Sequence, residues 1–165
     1  MEELIKLLNQ FAPLSAAVEN HLRKIIHPYS FKKWDYLLQA GDVAGHILFL
    51  EKGLVRSWSI IVKTKRSRKT KKLKKEKVEV SNWFMGEGTI IISVQSFLRQ
   101  KPAHDSIQAQ EDCVCWGITH AELEATYLAF PEFERVGRLI TGFYYCLSED
   151  RQLSQQMQDP LDKYR

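Results

Sequence analysis

Apolar residues in the opening segment fall at Leu4, Leu7, Leu8 and Phe11, and again at Leu14, Val18, Leu22, Ile25 and Ile26. Both sets keep the three-and-four spacing of one helix face, which predicts two amino-terminal helices within residues 1–28. Pro13 and Ser15 separate them; Ser15 offers a hydroxyl N-cap and Pro28 stops the second helix. From Tyr29 to Ile118 the texture changes to short apolar or alternating runs: Tyr36–Leu38, His46–Leu50, Leu54–Val62, Val78–Phe84, Ser106–Ala109 and Cys113–Ile118. Gly41-Asp42, Gly45, Gly53 and Gly86 punctuate these runs. Short strands joined by tight turns predict a small antiparallel β-sandwich or roll over residues 29–118.

The strand texture ends at Thr119-His120-Ala121-Glu122, which fits a capping box at a helix start. Pro131 then opens a longer helical stretch, in which Phe133, Val136, Ile140, Phe143 and Leu147 recur at alternating steps of three and four. Such a seam suits either a second helix, with Val136, Ile140, Phe143 and Leu147 pairing two subunits, or burial against the β body. Asp150 and Ser154 interrupt the seam and Pro160 ends the helix. The expected architecture is mainly β with flanking helices: amino-terminal helices at 1–28, an antiparallel β-roll at 29–118, and a connector plus long carboxy-terminal helix at 119–165.

At 165 residues, 44% hydrophobic and 27% charged, the chain has the composition of one soluble globular domain with a packed core. Its uncharged runs, such as Val80–Gly86 and Val114–Ala121, are far shorter than the ~20 residues that cross a bilayer. Met1-Glu2-Glu3 lacks the basic opening of a secretory signal, so no membrane partner and a cytoplasmic location are expected. Cys113, Cys115 and Cys146 are too few and too odd for a disulfide framework and fit reduced thiols.

Charge changes this picture locally. Residues 63–77 hold ten Lys or Arg and one Glu, while the other 150 residues hold 14 bases and 19 acids. The overall charge of +4 is therefore the work of one short segment on a mildly acidic body. This run lies between two strand-like stretches and extends a hairpin. It reads either as a solvated loop or as a weak, sequence-blind nucleic-acid contact acting through counterion release.

One segment carries candidate binding chemistry. Phe84-Met85-Gly86-Glu87-Gly88-Thr89, followed by Ser93 to Leu98, reads as a strand, a glycine-bearing turn and a short helix. Glycines allow close approach of a ligand, NH groups at a helix start suit an anion, and Glu87 can accept from sugar hydroxyls. An ordinary turn is the competing reading. With Leu37-Leu38-Gln39-Ala40-Gly41-Asp42, Ile47 to Arg56 with its Gly53-Leu54-Val55-Arg56, and Trp83 to Glu87, the chain resembles the cyclic-nucleotide-binding domain of the Crp/Fnr superfamily of bacterial transcription regulators.

That resemblance implies a jelly-roll-like β-roll with a phosphate-binding cassette closed by Ala103 to Ala109, and a dimerising helix after Pro131. It implies a homodimer and a cyclic nucleotide such as cyclic AMP, or another small anionic ligand. The ligand would be held by Gly86, Glu87, Gly88, Thr89, His104 and Ser106. The family's phosphate-gripping arginine falls here on Ala103 or His104, which removes a bidentate, charge-assisted contact. The family also continues into a helix-turn-helix that reads DNA, a module this chain does not carry.

Other chemistry has little support. His21, His27, His46, His104 and His120 show no metal-ligand spacing, which disfavours a cupin-like metal enzyme. No nucleophile elbow, Walker loop or paired carboxylate appears, so no catalytic residue is assigned. The alternative to a sensor is a β-roll scaffold that binds nothing, which predicts a cassette plugged by its own side chains.

Overall fold

The computed structural model describes residues 1–66 and 73–157, as backbone alone at 65, 66, 74 and 151–157. The elements run α1 (Glu2–Phe11), α2 (Ala16–Ile25), β1 (His27–Phe31), β2 (Tyr36–Leu38), β3 (His46–Lys52), β4 (Val55–Arg66), β5 (Leu73–Met85) and β6 (Thr89–Ile91). They continue with α3 (Val94–Arg99), β7 (Ser106–Ala109), β8 (Cys113–Thr119), α4 (His120–Ala129) and α5 (Pro131–Met157). Two four-stranded sheets, in the orders β1-β8-β3-β6 and β2-β7-β4-β5, pair antiparallel throughout. This is the expected β-roll with flanking helices.

Alternation along β3 explains how the layers stack. Leu48 and Leu50 join Val55, Ile91, Ile107, Ala109, Cys113 and Cys115 in the core between the sheets. Phe49, on the opposite face, joins Leu4, Leu8, Val18, Leu22, Ile90, Phe97, Ile118 and Val136 under the helices. In the β3–β4 turn, Gly53 has φ +114, and a Cβ there would lie 2.6 Å from the Cys113 sulfur and 3.0 Å from the Asp112 carbonyl. Only glycine serves at that position.

Two strands escape the sequence pattern. β6 stands between the Gly86–Gly88 turn and α3, where a direct turn-to-helix passage was expected. β1 includes Pro28, expected only as a helix stop. Proline is tolerated there because β1 is the edge of its sheet, where one side of the strand has no ladder bond to lose. Ser15 does cap α2, accepting from Val18 N at 3.4 Å. The stop expected at Pro160 lies outside the described residues.

The seam on α5 divides. Val136 and Phe133 are buried in the protomer's own core, and Ile140 and Tyr144 pack partly against it. Gly137 permits the tight crossing with α4, since a Cβ there would meet the Tyr127 hydroxyl at 2.1 Å. Further along, Phe143 is half exposed, touching Phe11 edge-on at 5.6 Å.

Cys113 and Cys115 are buried and Cys146 is exposed; burial pushes the Cys115 thiol up to about 12. A disulfide-exchange reagent at pH 8 should therefore titrate one thiol in the folded chain and three in denaturant. The capping box forms, Glu122 N donating to Thr119 Oγ1 at 3.2 Å and Thr119 N to Glu122 Oε2 at 2.9 Å. His27 Nε2 adds a contact to Glu122 Oε1 at 2.8 Å. The His27 bond first, then the Thr119 bonds, lower this carboxyl from 4.5 to about 2. Its stabilisation is complete above 4.5 and drains as the pH falls toward about 2. Urea midpoints measured at pH 5 and pH 3 should fall less for Glu122→Gln than for the wild type. Thr119→Ala should lower stability by about 1 kcal/mol at pH 7.

Candidate functional site

The corner formed by β6, α3 and β7 surrounds a cavity of about 290 Å³, lined by Trp83, residues 92–96, Arg99 and residues 101–105. Its walls are fixed by backbone and hydroxyl bonds. Gly41 N donates to Ala103 O and Ala103 N to Asp42 O, both at 2.8 Å. The Gly41-Asp42 pair thus holds the chain that closes the corner. Ser96 Oγ accepts from Ala44 N at 2.8 Å and donates to Lys101 O at 2.6 Å. Gln100 takes the left-handed conformation, φ +49, at the end of α3, where its amide donates to Phe97 O at 2.6 Å.

At the centre stands Asp105. Its two oxygens accept from Ser57 Oγ at 3.0 Å and from Ser93 Oγ at 2.9 Å. Both serines are buried. Ser57 sits on β4 opposite Trp83, and the ladder then slips so that Trp58 faces Ser81. The slip leaves Asn82 as the extra residue of a bulge, and its amide donates to Ser57 Oγ at 3.3 Å. A chain of hydrogen bonds from Asn82 through Ser57 and Asp105 to Ser93 therefore ties the β4–β5 pair to the start of α3. The carboxylate's acceptors are engaged by the protein itself.

The six expected ligand residues are not brought together. Gly86, Glu87, Gly88 and Thr89 form the β5–β6 turn and line neither this cavity nor a second one of about 370 Å³ at the mouth of the roll, between β1 and β2. Glu87 Oε1 accepts from Gly53 N at 3.2 Å, Gly88 N donates to Leu50 O at 2.8 Å, and Thr89 Oγ1 donates to Gly86 O at 2.7 Å. This turn is latched onto the β3–β4 turn. Ser106 is buried and accepts from Ala40 N at 3.0 Å. His104 alone of the six lines the corner cavity, beside Asp105.

At the place the resemblance gives to the family's arginine stand buried Ala103 and then His104, with the Asp105 carboxylate following. Arg99 and Lys101 line the same cavity, beside His104, and bring positive charge to it. Among the described residues, no three His, Cys, Asp or Glu side chains gather as a metal set, and no helix is long and apolar enough to cross a membrane.

The residues that sequence reasoning missed are Ser57, Asp105 and Tyr144. Ser57 carried a signal, a polar residue at an inward position of an otherwise apolar alternation. Tyr144 lies beside the α5 seam, and its hydroxyl accepts from Ile90 N on β6 at 3.2 Å. One hydrogen bond thus joins the strand that leads into the corner to the long helix.

Comparison with known proteins bears on this architecture. The family model described as Cyclic nucleotide-binding domain matches residues 28–129. A cyclic nucleotide-binding domain from Methylobacillus flagellatus superposes with a TM-score of 0.69 at 20% identity, covering 96% of this chain and 85% of that one. The catabolite activator protein of Thermus thermophilus gives 0.67 at 14% identity, over 89% of this chain and 61% of its own length. The c-di-GMP-responsive global regulator CLP of Xanthomonas campestris gives 0.62 at 15%, over 88% and 66%. This chain thus spans less than two thirds of either regulator, and at these identities the likeness shows the fold. No curated protein matches the sequence. With a match that runs from β1 to the end of α4, the chain belongs to the cyclic nucleotide-binding domain family.

Proposed function

We propose that the chain is the sensor half of a dimeric, cytoplasmic Crp/Fnr-type transcription regulator. In this reading α5 pairs two copies through Phe143 and Leu147, with Val136 and Ile140 anchoring it to its own body. It passes the state of the β6–α3–β7 corner to a DNA-reading helix-turn-helix, and the role is binding and signalling without catalysis. Weak nucleic-acid contact by residues 63–77 belongs to the same partner set. The bond from Ile90 N to Tyr144 Oη is the observation that supports it most, because any shift of β6 must be taken up by α5 or break that bond. The resemblance, which implies a dimerising helix after Pro131, makes dimerisation through α5 the natural way to use such a link.

The effector class that the family supplies is a cyclic nucleotide or another small anion. Asp105, bridging Ser57 and Ser93 inside the corner, speaks for a second reading in which the corner is closed by its own side chains and the roll serves as a dimerising scaffold. A phosphate entering there would meet a carboxylate, and like charges at contact repel.

Sedimentation equilibrium should show a dimer of the full chain, and Phe143→Glu combined with Leu147→Glu should convert it to a monomer with an unchanged circular-dichroism spectrum. A persistent dimer would remove α5 from the mechanism. Calorimetric titration with cyclic AMP and cyclic GMP should give no heat below millimolar ligand for the wild type. Heat at micromolar cyclic nucleotide would discard the closed-corner reading and make the chain a cyclic-nucleotide sensor.

A further inference from the structure

Beyond Trp58 the β4–β5 pair leaves the roll. β4 contacts β7 only over Val55–Trp58, while β4 and β5 stay in register from Trp58↔Ser81 out to Arg66↔Leu73. Eight residues of β4, 59–66, are thus paired only with β5 among the described strands, which at about 3.4 Å per residue is an arm of about 27 Å. The described part of its outer end, 63–66 and 73–77, carries Lys63, Lys65, Arg66, Lys74, Lys75 and Lys77 against Glu76. By register, positions Lys63, Lys65 and Lys74 share one face with Glu76, which stands opposite Lys63, while Arg66, Lys75 and Lys77 belong to the other. Lys63, Lys75 and Lys77 are exposed.

We infer that this two-stranded arm is a finger for double-stranded nucleic acid, its two rows of cations set to face phosphates on both sides of a groove. The inference rests on the nucleic-acid contact proposed above and specifies the partner. Three observations favour a duplex. A two-stranded β-ribbon fits the ~12 Å width of a major groove. Cations on both faces match two flanking phosphate chains, whereas a bilayer surface would be met by one face. Residues 63–77 contain no aromatic side chain, so a single strand finds no stacking platform. The arm also holds its charge away from the acidic body, which on its own repels a polyanion.

The test is fluorescence anisotropy of the full chain with a 20-base-pair duplex of arbitrary sequence, a single strand of equal length, and vesicles containing one third anionic lipid. Duplex affinity should fall about a thousandfold between 50 and 200 mM salt for about six phosphate contacts, and should not depend on sequence. Lys63→Gln, Lys75→Gln and Lys77→Gln together should reduce the log–log salt slope by about 2.7, with the melting temperature unchanged. Preference for the single strand or the vesicles overturns the duplex finger while leaving a polyanion contact in place. Absence of binding to any of the three, or a slope untouched by the triple variant, overturns the nucleic-acid reading of the arm altogether. Neither result bears on the dimer measured by sedimentation.

Discussion

The structure depends on β3 being covered on both faces. Leu48 and Leu50 hold the two sheets together, while Phe49 between them gives the helices their floor. β8 lies alongside with Cys115 turned to the roll and Ile118 to the helices, and Gly117 keeps the two strands from clashing. A Cβ at Gly117 would come 2.5 Å from Leu48 and 2.8 Å from Tyr29. This one strand pair makes the roll and the helical layer a single body. A displacement in the β6–α3–β7 corner is therefore not absorbed by soft packing and passes to the helices.

Much of this was legible in the sequence because period and punctuation carry it. The two amino-terminal helices, the capping box at Thr119 and the long helix after Pro131 follow from helical spacing with the right terminal residues. The roll follows from short runs broken by glycine. Three-residue β6 was invisible because Thr89-Ile90-Ile91 is too short to show alternation and sits against a glycine turn. Without it, the Gly86–Gly88 turn was expected to lead straight into the short helix, whereas it carries the chain from β5 of one sheet to β6 of the other. Asp105 and Ser57, 48 residues apart in the chain, become partners only through sheet pairing, which local pattern cannot reveal.

Polar groups at the corner do structural duty. Asn82, Ser57, Asp105 and Ser93 satisfy one another in a region closed to water on the Ser57 side, and each would be costly to bury alone. The chain's own carboxylate organises the hydroxyls that a ligand would otherwise organise, so the corner can hold its shape without an occupant.

The Tyr144 hydroxyl has a further consequence. β6 is the outermost strand of its sheet, and outward-facing amides on such a strand are templates for a foreign strand. By engaging Ile90 N, α5 acts as a lid over that border. Lifting the helix would uncover a free amide beside the buried Ile90 and Ile91 side chains, so this contact guards the protein against self-association through its sheet edge.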